Sequence, residues 1–284
     1  MSADNARTHV RLNPRDFRRV GRGLSRPECV LARADGSLLV SDKRAAYTLI
    51  RPDGVQERVG EQRGLPNGMC LTEKGDVIVA DIEAREIYCV DPSGRYSPWI
   101  SHIAGRPIGA ANFIYRAPSG RLYATISTDE SERQRAVRER IADGYILDIT
   151  DPREPSVMYR GFCFTNEMRI REGRVYVAET GLGRVVVGDA LTGGFVPYVS
   201  EQLFDGARVD GILFDKHGNL WVTELERNSI HVFTTGGEVI CVFEDPAGVV
   251  LDAPTSLCFV GSTAIVGSLT MDSLVAFDLP DLRG

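Results

Sequence analysis

Apolar and polar residues alternate along most of this chain, and small or turn-forming residues cut the runs about every eight to ten positions. Alternation broken that often predicts strands, not helices. One phrase recurs six times: a turn residue, an alternating apolar strand, then a small or acidic residue. It reads Gly36 to Asp42, Gly75 to Asp81, Gly120 to Thr125, Gly173 to Glu179, Gly218 to Glu224 and Ser262 to Ser268. The units around it are alike. Asp210 to Asp215 leads through Lys216, His217, Gly218 and Asn219 to the phrase ending at Glu224, and Asn228 to Phe233 follows. Asn67 to Leu71, Val77 to Asp81 and Glu86 to Val90 repeat the plan, as do Asn166 to Ile170, Val175 to Glu179 and Arg184 to Gly188. Gly and Asn between the runs tolerate positive φ and so favour hairpins. A period of roughly 40–50 residues built from short strands is the signature of a β-propeller. The expectation is an all-β fold, a six-bladed β-propeller with four-stranded blades. Residues Asp16 to Val20 precede the first blade and are placed to supply the outer strand of the last one, which removes an exposed edge. Residues 1–284 read as one domain, with residues 1–14 as an extended tail.

Seven or eight residues ahead of each recurring turn stand Glu28, Asn67, Asn112, Asn166, Asp210 and Thr255. Equivalent positions of successive blades face one axis, so these six form a ring of oxygen-bearing side chains. Asn67-Gly68 and Asp210-Gly211 also have a plainer reading as turn dipeptides, although each opens an apolar run well before the next turn. Glu28, Asn166 and Asp210 offer two carboxylates and one amide oxygen, with Asn112 as a further oxygen. Converging carboxylates repel unless a cation or a proton intervenes. All-oxygen ligation selects a hard divalent cation: Ca²⁺ first, with Mg²⁺, Mn²⁺, Zn²⁺ or Fe²⁺ as alternatives. His9, His102, His217, His231 and all six cysteines fall outside the axial positions, which argues against a thiolate or imidazole zinc site. A cation with open positions is a Lewis acid for a carbonyl oxygen and would stabilise the oxyanion formed when water attacks an ester carbon. Asp210 is then a ligand alone or also the base that takes a proton from that water. Serine-nucleophile chemistry lacks its Gly-x-Ser-x-Gly elbow here.

Composition adds exclusions. A net charge of −6 speaks against nucleic acid, which is bound by clustered Lys and Arg. Cys29, Cys70, Cys89, Cys163, Cys241 and Cys258 form no CxxC pair and mostly lie in apolar strand patterns, so buried free thiols are expected. The first nine residues hold no apolar export segment and no stretch approaches a membrane span, which points to a reduced cytoplasmic setting; the partner expected from the axial ring is a small-molecule substrate. One insertion, residues 126–144, breaks the repeat. Its mixed charges at helical spacing fit either a solvated loop or a short surface helix, placed to act as a lid or rim over the axial ring.

Several segments together resemble the SMP-30/gluconolactonase/LRE family, which includes regucalcin and Drp35-type lactonases. They are Arg26-Pro27-Glu28-Cys29, Leu65-Pro66-Asn67-Gly68, Thr165-Asn166-Glu167, Val209 to Asp215 with Gly218 to Val222, and Pro254 to Phe259. The resemblance runs from about Glu28 to Pro280. It implies a six-bladed propeller whose divalent metal is held by Glu28, Asn166 and Asp210. It further implies lactone hydrolysis with Asp210 as the catalytic group, and Asn112 in contact with substrate or metal. Asn67 and Phe113 complete the expected substrate-binding set. Three positions depart from the family pattern: Ala110 stands where sugar-lactone members carry Arg, Phe113 where Asp is common, and Glu167 where Gly is usual. Loss of the Arg removes donors suited to sugar hydroxyls, and Phe113 adds apolar area, so a less polar lactone or ester joins sugar lactones as a substrate class. The same fold and metal could also serve a non-hydrolytic reaction of strictosidine-synthase, isomerase or lyase type, or simple binding of a small molecule.

Overall fold

The computed structural model describes residues 12–199 and 202–282, arranged as six four-stranded antiparallel sheets around a common axis. The innermost strands are Val30–Ala32, Pro66–Leu71, Ala111–Arg116, Thr165–Arg171, Val209–Phe214 and Pro254–Val260, and each packs against its neighbours in the ring. The recurring phrase supplies the second strand of every blade, among them Leu38–Ser41, Val77–Asp81 and Leu220–Glu224. In these three every residue is buried. Period-two alternation ordinarily leaves one face wet. Here both faces of a blade are covered by adjacent blades, so a second strand tolerates water on neither.

Six apolar clusters fill the six gaps between consecutive blades. Ile78, Ile87, Ile114 and Leu147 join the second blade to the third, and Trp221, Val232, Leu257 and Phe277 join the fifth to the sixth. Closure uses the amino-terminal strand. Arg18–Val20 pairs with the last strand, Leu274–Asp278, in the register Arg18 to Ala276 and Val20 to Leu274. Phe17 anchors it, with its ring 4.2 Å from that of Phe243 and 5.1 Å from that of Phe277. A second tie lies at the axis, where the Thr255 hydroxyl donates to the Glu28 carbonyl at 2.6 Å and couples the last blade to the first.

Details differ from the sequence expectation. Asp16 belongs to a 3₁₀ turn, Pro14–Asp16, because Pro14 starts it and the Asp16 carboxylate caps the Asn13 N–H; the closing strand begins two residues later. The expected tail is described only for residues 12–14, and residues 1–11, His9 among them, lie outside the described residues. Asn67-Gly68 and Asp210-Gly211 sit inside strands and not in turns. Their glycines serve close packing instead. A Cβ on Gly68 would stand 2.4 Å from Phe113 Cα, and one on Gly211 2.4 Å from the Thr255 carbonyl oxygen. A small hairpin, His102–Ile103 with Arg106–Pro107, is an addition the repeat pattern did not announce. None of the six cysteines is in a disulfide, and Cys258 is half-buried while the rest are buried.

The acidic residues that end the recurring phrase have a structural duty. The Asp81 carboxylate accepts from the backbone N–H groups of Leu65, Glu83 and Ala84. Glu224 does the same for Arg208, Glu226 and Arg227. Carboxylates so placed hold the loops of the upper face in fixed positions. Because ring closure rests on Phe17, Phe17→Ala is expected to lower unfolding free energy by about 2–3 kcal/mol. Urea unfolding followed by tryptophan fluorescence measures it, and an unchanged midpoint would contradict the anchoring role.

Candidate active site at the propeller axis

Five of the six innermost strands break register at one level, between Pro66 and Met69, Ala111 and Phe113, Thr165 and Met168, Val209 and Ile212, and Pro254 and Leu257. A bulge of this kind aims two consecutive side chains where a regular strand would aim one. In the first blade Arg26, at φ 53°, makes the bend ahead of the strand. The outcome is two layers about the axis. Glu28, Asn67, Asn112, Asn166 and Asp210 form the upper one, and Cys29, Gly68, Phe113, Glu167 and Ser256 lie one residue further along each strand. All of them line one narrow axial space, too tight as it stands to admit a water-sized sphere, and the polar members are buried. Thr255 is the exception among the six ring positions, since its hydroxyl is committed to the Glu28 carbonyl.

Hydrogen bonds fix the upper layer. Arg26 is ion-paired with Glu28 and donates to Asn67 Oδ1 at 2.8 Å. Asn67 Nδ2 donates to the Asn112 carbonyl at 3.0 Å and to Asn112 Oδ1 at 3.2 Å, and Asn112 Nδ2 donates to Ser127 Oγ at 2.9 Å. Across the axis, Asn166 Nδ2 donates to Asp210 Oδ2 at 2.9 Å and to Thr180 Oγ1 at 3.2 Å. Arg26, Ser127 and Thr180 were not among the site residues expected from the sequence, although Arg26 belongs to one of the segments that carry the family resemblance. Arg26 stands two residues before Glu28, a spacing that could have flagged it, whereas Ser127 and Thr180 follow strands whose ends vary in length.

Electrostatics in this space are unfavourable for bare carboxylates. Burial pushes the Asp210 carboxyl well above its ordinary range, and the charges of Glu28 and Glu167 add to the shift; Arg26 and the Asn166 amide oppose it. Glu28 is raised by burial, with Arg26 as the main opposing charge. Glu167 is raised by burial too, opposed by Arg169 and by the Ile212 N–H, which reaches Glu167 Oε2 at 3.1 Å. Glu167 Oε1 is buried with no well-formed hydrogen bond, although the Ser256 hydroxyl is near enough to favour its ionised form. Three acids thus share one site with two guanidinia.

The upper layer fits a hard divalent cation: it is all carboxylate or amide, and an added positive charge would relieve the mutual repulsion that burial imposes. Cys29, expected from the sequence to lie off the axis with the other cysteines, lines the lower layer instead, and burial raises its thiol pKa so that it stays protonated. Among the described residues no three or more His, Cys, Asp or Glu side chains form a cage by themselves, so an amide is needed. Asn166 is the amide in contact with Asp210. Its oxygen and nitrogen exchange places by rotation of the side chain about its last bond, which would bring Oδ1 to the site.

The insertion lies over this site as a short helix, Arg133–Arg138, whose own Ala136 is fully buried. Arg85 of the second blade donates to the Asp129 and Glu130 carbonyls, and Cys163 Sγ of the fourth contacts the Arg140 carbonyl at 3.2 Å. Arg133 is within electrostatic reach of Glu28, Arg26, Glu83 and Arg85 and is half-buried. It has no hydrogen-bond or ion-pair partner among the described residues.

Fold and site together define a six-bladed propeller with a buried cluster of acids and amides on its axis. Residues 27–265 match the SMP-30/Gluconolactonase/LRE-like region, and the chain belongs to that family. Solved structures of similar architecture include a gluconolactonase of Xanthomonas campestris (TM-score 0.74, 16% identity, 91% of this chain and 88% of that one). Regucalcin of Agrobacterium tumefaciens, a calcium-binding protein, has a TM-score of 0.74 at 14% identity, over 92% of this chain and 93% of that one. An inactive virginiamycin B lyase of Staphylococcus aureus with quinupristin reaches 0.62 at 15% identity, over 89% of this chain and 80% of that one. A segment of 114 residues is 32% identical to human NHL-repeat-containing protein 4, spanning 38% of this chain and 89% of that protein. At these identities the structural likenesses establish the fold. No helix among the described residues is long and apolar enough to cross a membrane.

The raised carboxyl groups carry a pH dependence. A folded-state acid whose pKa is raised binds more protons than its unfolded counterpart, so stability is lost as pH climbs from the ordinary carboxylate range through the raised value. Metal-stripped protein is therefore expected to be less stable at pH 8 than at pH 5. Asp210→Asn should flatten that slope and stabilise the stripped protein at pH 8. Urea unfolding in the presence of chelator measures both, and equal slopes for the two proteins would refute the assignment.

Proposed function

We propose that this protein is a divalent-metal-dependent hydrolase that opens a lactone ring. The observation that carries this reading is the convergence of Glu28, Asn166 and Asp210, with Asn67 and Asn112 beside them, on one buried axial space in a chain of the gluconolactonase family. Glu28, Asn166 and Asp210 would hold the ion. Ca²⁺ is the first choice on the chemistry of the donors and on the likeness to a calcium-binding regucalcin. Bound there, the ion would supply Lewis acidity to a carbonyl oxygen.

The chain's own groups do the remaining work. Asp210 and Asn166 are in contact, and whichever Asp210 oxygen the ion leaves free would take a proton from an incoming water. Burial raises the proton affinity of Asp210 while no cation is bound, and a bound ion would lower it again and keep the carboxylate ionised, as a base must be. Asn67 and Asn112 hold amide groups at the rim of the same space, and their mutual hydrogen bonds set the orientation in which they would meet a substrate. Phe113 closes the floor and excludes water from below. Arg26 neutralises Glu28 in the absence of a cation and competes with one for it.

Arg133 supplies from the lid a positive group of the kind that Ala110 lacks. A half-buried guanidinium with no hydrogen-bond partner among the described residues pays for desolvation unless something arrives to accept its hydrogen bonds. The substrate class is accordingly a lactone or ester with a polar or anionic substituent on the side away from the scissile bond.

Two outcomes test this. Chelator should abolish lactone hydrolysis, and Ca²⁺ should raise the melting temperature of the wild type by several degrees at saturating concentration, but not that of Asp210→Ala, which stays folded and inactive. Turnover that survives metal removal would defeat the proposal. Arg133→Ala should raise KM for a carboxylated lactone by about tenfold with a much smaller change in kcat. Steady-state kinetics on charged and uncharged lactones separates this from a structural role of the lid, which would affect both substrates alike.

A further inference from the structure

The axial channel has a second mouth. A cavity of about 670 Å³ opens on the face opposite the acid ring, and all six blades line it through Leu31, Leu71, Tyr115, Arg169, Leu213 and Phe259. Its walls are largely aliphatic and aromatic. No Asp or Glu is among its lining residues, and its charged members are Arg116 and Arg169. Phe113 and Ser256 border both this cavity and the narrow space above, so they form the partition between the two.

Arg169 sets the chemistry of this mouth. Its side chain is 11% exposed, and its guanidinium lies 4.9 Å from the Phe113 ring centre and 5.8 Å from that of Tyr115. It donates to the Met168 carbonyl at 2.7 Å and to Glu167 Oε2 at 2.8 Å. A guanidinium has five N–H donors, so about three remain unspent. Ring faces compensate part of that desolvation, but they accept no in-plane hydrogen bond. Arg116 pairs at the rim with Glu73, whose side chain is 81% exposed, so water screens that carboxylate strongly.

We propose that this mouth binds an amphipathic organic anion, a carboxylate or sulfonate on an aromatic or short aliphatic body. The head group meets the free Arg169 donors, and the body rests on Leu71, Leu213 and Phe259. A cavity of this volume is in the usual range for small-molecule sites, and an apolar wall with one buried polar anchor is their usual design. The inference stands apart from the hydrolytic reading, since the ligand enters through the other face.

Anilinonaphthalene sulfonate is both a ligand of this chemistry and a fluorescent reporter. Titration of the folded protein should show saturable binding of one molecule per chain, reversed by decanoate and not by equal concentrations of decanol. Arg169→Met should weaken binding by about tenfold or more. Because that change leaves Glu167 without its guanidinium, Leu213→Glu serves as a second variant; it places a negative charge on a half-buried wall and should weaken binding as strongly at a near-wild-type melting temperature. Asp210→Asn should bind the probe as the wild type does. Absence of saturable binding would overturn the proposal. So would unchanged affinity in folded Leu213→Glu, displacement by decanol as effective as by decanoate, or loss of binding in Asp210→Asn, which would put the probe at the opposite mouth.

Discussion

A blade of this protein cannot bury itself. Its second strand is apolar or sealed on both faces, so each sheet needs a neighbour on either side, and only a closed ring gives every sheet two. Closure is therefore the constraint from which the rest follows. It explains why residues from the start of the chain complete the last blade, and why Phe17 is wedged between Phe243 and Phe277. It also explains the two glycines that follow ring residues. Drawing six strands to one axis brings backbones so close that Gly68 and Gly211 leave no room for a Cβ.

The same convergence creates the electrostatics. Side chains distant along the chain are forced into a shared dry space, and three of them are acids. Each acid's burial would cost several kcal/mol without compensation. Arg26 and Arg169 supply part of it, and raised proton affinities show where compensation is incomplete, most of all at Asp210. Proton and metal ion are the two candidates to complete it, and they compete for the same oxygens.

The ring was legible in the sequence because a repeat multiplies a weak signal. One Asn-Gly dipeptide says little, but six polar residues seven or eight positions ahead of six turns state an axis, and the innermost strands lie where that spacing puts them. The closing strand was legible to within two residues, since Pro14 and Asp16 form a turn that alternation alone does not reveal. Legibility failed where one residue does two jobs or where a contact depends on a bulge. Thr255 matched the offset yet spends its hydroxyl on the Glu28 carbonyl. Glu167 appeared only as a departure from the family pattern, because period-two alternation would turn it away from Asn166, and only the bulge between Thr165 and Met168 brings both inward. Arg133 was hidden for a different reason: the helix that carries it has no repeat to place it over the axis.

Two departures from the family pattern acquire a common explanation. Phe113 and Glu167 belong to the lower of the two axial layers, and Arg169 joins them: it pairs with Glu167 and stacks on Phe113. An acid at position 167 needs a cation within reach, and a cation so nearly buried gains from an aromatic face, so these residues form one unit and not independent changes. That unit fills the channel between the acid ring and the opposite mouth. In a propeller with Gly in place of Glu167 the pair could not form, and the Arg169 guanidinium would have no carboxylate to hold it against the Phe113 ring. The character of this chain's lower channel, apolar walls around a single anchored guanidinium, thus follows from Phe113, Glu167 and Arg169 acting together.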